Sequence, residues 1–264
     1  MLPRFAIPLL AVAVSAGVAL HAQEVPAQAD IATPIATDRP SFTNSSIVVP
    51  LGSLQAENGF LETRSQGQST VDGPETLLRL GVASRTELRF TVPNYFYNVS
   101  SGAGTGFGDI AVGLKRQLGP LAGGFDVSAT AFVSFPTGAS GVSSGGYDPG
   151  VQVAWSRGLS GKWSVAAGML SLYAPTQGQA RNITGESTVL LDRQLRGPWD
   201  VFVEYVGDFP ENGGTRQMMN FGSSYKIAAR QQLDFHFGVG FTPAAADHFV
   251  GVGYSFRFQA LHRR

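Results

Sequence analysis

The sequence predicts an all-β fold, an antiparallel up-and-down transmembrane β-barrel of about 12 strands. Three observations point there. Apolar and polar side chains alternate along most of the chain, the links between alternating segments sort into longer and shorter ones, and only 14% of residues are charged. Soluble domains usually carry about 25% charged residues. After residue 22 no stretch of 18 apolar residues occurs, so spanning helices are excluded and any crossing falls to strands.

The alternation is clearest at the C-terminal end. In 248–258, Val250, Val252, Tyr254, Phe256 and Phe258 share one face, and Gly251, Gly253, Ser255 and Arg257 the other. In 232–241, Leu233, Phe235, Phe237, Val239 and Phe241 oppose Asp234, His236, Gly238 and Gly240. A period of two means a strand with one apolar and one polar face. Read this way, strands fall at 53–63, 75–83, 86–97, 107–118, 124–135, 149–157, 162–173, 184–195, 199–209, 215–227, 231–241 and 248–258. The longer links are 64–74, 98–106, 136–148, 174–183, 210–214 and 242–247. The shorter are 84–85, 119–123, 158–161, 196–198 and 228–230. Long loops on one side and short periplasmic turns on the other is the outer-membrane layout. A repeated turn signature supports it: Arg116-Gln-Leu-Gly, Arg157-Gly-Leu-Ser-Gly and Arg193-Gln-Leu-Arg-Gly each close a strand before an aromatic residue opens the next. Trp163, Trp199, Tyr95, Tyr97 and Tyr173, near strand ends, suit aromatic girdles.

Residues 1–22 have one positive charge, Arg4, an apolar run to Leu20, and a small residue at the expected cut after Ala22. That is the layout of a secretory signal peptide, so the chain is expected to leave through the Sec pathway for the bacterial outer membrane. Residues 23–52, rich in Ala, Pro, Gln and Thr and without periodicity, read as an extended periplasmic lead-in, partly tucked into the barrel mouth. Residues 53–258 form the barrel and 259–264 a short tail. Loss of Arg4 leaves eighteen basic residues against nineteen acidic, which gives no electrostatic footing for nucleic acid. No cysteine is present, so disulfides, thiolate metal sites and a cysteine nucleophile are excluded.

The polar faces define the candidate lumen. Arg79, Glu87, Arg89, Asp126, Glu204, Asp234, His236 and Arg257 are the residues expected to set binding and selectivity, with Glu57, Asp109, Lys115, Glu186 and Asp192 on the same side. At the bilayer midplane an outward Arg or Lys costs about 2–4 kcal/mol, so these groups belong inside. They could line a solute path, or pair with one another and close the barrel. Nothing demands a catalytic residue, metal or cofactor: no Ser-x-x-His spacing accompanies His236 or His248, and Gly102-Ala-Gly-Thr-Gly-Phe-Gly108 lacks the Lys-Ser/Thr of a phosphate loop. Asp72, Asp148, Asp208 and Asp247, in or beside the longer loops, are read as solvated acids that could also meet cation-bridged lipopolysaccharide.

Two stretches resemble known sequences. Thr37-Asp38-Arg39-Pro40-Ser41-Phe42-Thr43, followed by Val49-Pro50-Leu51-Gly52-Ser53-Leu54-Gln55-Ala56-Glu57-Asn58-Gly59-Phe60, resembles the opening of the outer-membrane transporter family tied to the meta-pathway of phenol degradation. Ser41 stands where that family usually has an acid. The resemblance implies uptake of small, often aromatic, molecules. The closing Gly251-to-Phe258 stretch resembles the signal read by the barrel-assembly machinery, here through Tyr254 and Phe258 with six residues beyond. The expected function is a channel for small solutes, aromatic or hydrophobic ones among them, embedded in outer-membrane lipid and lipopolysaccharide. Alternatives are a rim hydrolase or acyltransferase, and a closed structural barrel.

Overall fold

The structure, a computed structural model, describes residues 33–101, 104–161 and 163–261. The expected signal peptide lies outside the described residues, as do 23–32 of the lead-in and 262–264 of the tail. Twelve antiparallel strands run in sequence order around one closed sheet. They are β1 (Ser53–Ser65), β2 (Gln68–Gly73 resuming as Leu77–Ala83), β3 (Thr86–Thr91 resuming as Tyr95–Asn98), β4 (Gly106–Phe107 resuming as Ile110–Gln117), β5 (Phe125–Phe135), β6 (Asp148–Gly158), β7 (Val165–Tyr173), β8 (Thr184–Gln194), β9 (Trp199–Pro210), β10 (Arg216–Ala228), β11 (Gln231–Gly240) and β12 (His248–Gln259). Closure comes from β12 pairing with β1, from Ser53 opposite Gln259 to Arg64 opposite His248. A closed sheet has no open edge, so the paired strands satisfy one another's N–H and C=O groups without water.

The alternation becomes an inside-out distribution of side chains. On β7, Leu170 is 63% exposed and its neighbour Met169 2%. Phe235, Phe237 and Val239 of β11 and Val250 and Val252 of β12 are exposed, whereas Arg79, Lys115, Glu57, Glu87 and Glu204 are fully buried. In a soluble protein charged groups are almost never fully buried and large apolar residues cluster inside. The reversal fits a wall facing hydrocarbon and a lumen facing polar groups. Trp163, Trp199, Tyr95 and Tyr97 are exposed on the outside, as girdle residues should be. Tyr173 departs from that expectation: it shares the inward side of β7 with Met169 and Ser171, because its position has the lumenal parity.

The first link also differs. Residues 64–74 are not a long loop: β1 continues to Ser65, turns over Gln66 and Gly67, and β2 starts at Gln68. Both turn residues have positive φ, 51° and 78°, the geometry that matches a two-residue hairpin to strand twist. The irregularity moves to 74–76, where Pro74 has no N–H to give the ladder. Breaks in β3 at 92–94 and β4 at 108–109 lie beside it. Val92 N–H still donates to Thr76 O (2.9 Å) and Gly108 N–H to Asn94 O (2.7 Å), so the wall is loosened there and not open. Loop sorting is weaker than expected, since the link 118–124 on the short-turn side is as long as 99–105 on the other.

Candidate functional site

Residues 33–50 enter the lumen at the short-turn end, arch through it and return to the start of β1. The segment has no ladder of its own, and a buried backbone must still satisfy its N–H groups. The wall's glutamates do this. Glu57 accepts the N–H of Asp38 (2.8 Å) and Arg39 (3.0 Å). Glu204 accepts those of Phe42 (3.0 Å) and Thr43 (2.7 Å), and also the Thr43 hydroxyl (2.7 Å). Glu87 accepts that of Val49 (2.8 Å). A charged acceptor in a low-dielectric interior makes these bonds strong.

A balanced ionic cluster underlies the anchors. Arg79 bonds Glu57 and Glu87, both at 2.9 Å, and pairs with Asp38 at 3.3 Å. Arg89 pairs with Asp38 (2.5 Å) and bonds Glu87 (2.9 Å), and Lys115 stands 3.6 Å from Asp38. Three cations face three carboxylates. Burial pushes the Asp38 carboxyl upward, but Arg79, Arg89 and Lys115 outweigh it and hold Asp38 well below the usual carboxylate range. Arg79 also donates to the Ala36 and Ile47 carbonyls (3.0 and 2.9 Å), so it ties both limbs of the arch.

Arg39 has its own seat. Its guanidinium reaches Glu75 (2.5 Å) and Asp234 (3.3 Å) across the inward face of β1 and β12. Gly59 and Gly253, register partners on those strands, leave the space. A Cβ on Gly253 would stand 2.5 Å from Arg39 Nε, and one on Gly59 would overlap the guanidinium.

The sequence-derived lumen residues therefore divide. Arg79, Glu87 and Arg89 come together in one cluster, with Lys115 and Glu57. Glu204 and Asp234 anchor the arch elsewhere, and Arg257 holds its start by donating to Thr33 O (2.5 Å). His236 is buried beside Asn220 Oδ1 (3.3 Å) and the Phe249 ring. Asp126 faces inward at the short-turn end, beyond the pairing of Gln117 with Ser128, apart from the others. Asp109 accepts the N–H of Gly138 (2.8 Å) and Ser144 (3.3 Å) and so folds the 136–147 loop inward. Sequence reasoning missed Asp38, Arg39, Asn44 and Gln152. The available signal was the adjacent Asp38-Arg39 pair in a stretch otherwise nearly free of charge.

Among the described residues, three cavities lie in the lumen along and beyond the arch. One of about 680 Å³ opens at the long-loop end and includes Thr91, Asn94, Phe96 and Asp109. One of about 230 Å³ lies mid-lumen between Arg89, Thr130, Phe132 and Gln152. One of about 420 Å³ lies under the arch, against the inward faces of β6 to β11.

The fold matches solved outer-membrane proteins. The COG4313 outer membrane channel from Pseudomonas putida F1 superposes with a TM-score of 0.56 at 12% identity, over 81% of this chain and 98% of that one. The NanC porin gives 0.56 at 10% identity, over 77% and 98%. The KdgM porin gives 0.51 at 10% identity, over 78% and 99%. Among curated proteins none has a matching sequence. Residues 37–258, nearly all of the arch and barrel, match the family described as "Putative MetA-pathway of phenol degradation", and the chain belongs to that family.

Proposed function

We propose that the protein is a passive channel of the bacterial outer membrane that admits small solutes without a covalent step. The observation that carries this reading is the pair of cavities at the two ends of a closed, polar-lined barrel with an apolar outer wall. Diffusion through such a lumen needs binding weak enough to release the solute, and the arch divides the lumen into smaller spaces of mixed polar and apolar lining. The matched family and the porins above support the same reading, and the family's description favours small aromatic solutes. A rim hydrolase is poorly served by these residues. His236 pairs with Gly251 and Ser255 with Gln232, four residues apart along the strands or roughly 13 Å. That is far outside hydrogen-bond reach of a nucleophile and its base.

On this reading the short turns face the periplasm, residues 1–22 direct Sec export, and the outer wall meets lipid and lipopolysaccharide. Tyr254 and Phe258, exposed on the closing strand, are the side chains offered to the assembly machinery. Liposome swelling tests the channel: vesicles carrying the folded protein should swell in small sugars and amino acids, to which protein-free vesicles are closed, with rates falling as solute size rises. Folded, heat-modifiable protein that leaves vesicles impermeable to every solute would leave the closed structural barrel, which the balanced ionic cluster favours.

A further inference from the structure

The three cavities are arranged as one interrupted path. The long-loop cavity and the mid-lumen cavity share Thr91 and Ala111, so they adjoin. The mid-lumen cavity and the cavity under the arch share one residue, Asn44. Asn44 Nδ2 donates to Gln152 Oε1 of β6 at 2.9 Å, and that amide pair lies where the two spaces would otherwise join.

The arch's contacts are of two kinds. Charged groups of β1, β2, β3, β9, β11 and β12 hold it: Glu57, Arg79, Glu87, Glu204, Asp234 and Arg257. Others are neutral: Val48 N–H to Gln117 of β4 (3.3 Å), Thr43 with Thr188 of β8 (2.6 Å), Gln232 of β11 to Thr37 (2.9 Å), and, against β6, Asn44 with Gln152 and Ser46 with Ser156 (2.7 Å). A neutral amide pair can part and pair with a solute or water without uncovering a charge, whereas parting a buried ion pair strands one. A contact of the neutral, separable kind thus stands where the path is blocked.

From this coincidence we infer that Asn44 and Gln152 form the gate of the solute path and set what passes. Each cavity along the path has one inward aromatic ring, Phe96, Phe132 and Phe202 in turn. Hydroxyls and amides stand beside the rings, among them Thr91, Thr130, Asn44 and Gln152. Of the charged groups in the same linings, Arg39, Arg89 and Lys226 are paired within the protein, with Glu75, Asp38 and Asp200. That lining suits a small uncharged solute with a flat apolar body and a hydrogen-bonding group, which the amides can accept and release.

The inference rests on the channel reading, and single-channel recording in planar bilayers tests the two separately. Asn44→Ala and Gln152→Ala should each raise conductance at least about twofold. Val153→Ala, one residue along β6 and exposed on the lipid side, should leave it unchanged. The chain has no cysteine, so Gln152→Cys gives a unique thiol. A charged methanethiosulfonate reagent should suppress most of the current through Gln152→Cys and none through Val153→Cys. Benzyl alcohol should partly block the wild-type ion current, glycerol should not, and Phe132→Ala should abolish the block. If the wild type conducts but both alanine variants carry wild-type currents and the thiol adduct blocks nothing, the gate lies elsewhere and the inference fails. If neither wild type nor variants conduct, the channel reading fails with it. Heat-modifiable gel mobility of every variant shows that the barrel has folded.

Discussion

Arg79→Met is the substitution whose outcome the structure specifies most fully. Arg79 is completely buried, bonds Glu57 and Glu87 at 2.9 Å, and donates to two carbonyls of the arch. Methionine fills similar space but leaves three carboxylates facing two cations. Removing one partner of a buried ionic group costs about 3–5 kcal/mol because the other charge is left uncompensated. The wall is held by its backbone ladder, so relief comes from the arch, whose departure lets water reach Glu57 and Glu87. At about 1.36 kcal/mol per tenfold, seating of the arch should weaken by roughly two to four powers of ten. The assay is thiol labelling at Val49→Cys, which is 3% exposed in the seated arch and unique in a cysteine-free chain. Labelling should be slow in the Val49→Cys protein and much faster once Arg79→Met is added. Adding Glu87→Gln should slow it again, since two carboxylates then face two cations. Equal labelling rates with and without Arg79→Met would refute the reasoning. So would loss of heat-modifiable folding, because the cost would then have fallen on the wall.

Three further outcomes follow from the same geometry. Gly59→Ala places a methyl in the Arg39 guanidinium, so Arg39 should lose Glu75 and Asp234 at an overpacking cost of about 1–3 kcal/mol, read as faster Val49→Cys labelling in an intact barrel. Leu170→Arg puts a charge on the lipid face and should destabilise the barrel by about 2–4 kcal/mol in urea unfolding from vesicles, whereas Leu170→Ile should be nearly neutral. Asp38 has a folded-state pKa depressed below its unfolded value of about 3.9. Its stabilising contribution is therefore complete above that value and is lost only as pH falls through the lower one. Relative to a free thiol at the same pH, which removes the fall in thiolate fraction, Val49→Cys labelling governed by Asp38 should stay constant from pH 7 to pH 5, and in Asp38→Asn it should already be fast at pH 7.

The barrel was legible because its signal is local. Val250, Val252, Tyr254 and Phe258 alternate with Gly251, Gly253 and Arg257 whether or not the neighbouring strands are known, and twelve such segments imply closure. The identity of the inward charges was legible for the same reason. Their role was not. Glu57, Glu87 and Glu204 are far apart in sequence and become anchors only when residues 33–50 place backbone N–H groups against them. A segment without periodicity gives no pattern from which to read that path. The 64–74 link was misread because Gly73 and Pro74 look like loop residues, whereas Gly73 ends the first half of β2 and the strand resumes at Leu77 after a break at 74–76. Tyr173 shows the remaining limit: closeness to a strand end suggests a girdle, but parity decides the face.

If a charge-anchored arch narrows this lumen without sealing it, single-channel recording of the purified, folded protein should give small, reproducible conductance steps. Arg79→Met, which removes the anchor, should give clearly larger ones. Wild-type steps as large as those of Arg79→Met, or bilayers that stay silent with both, would overturn that picture of the lumen.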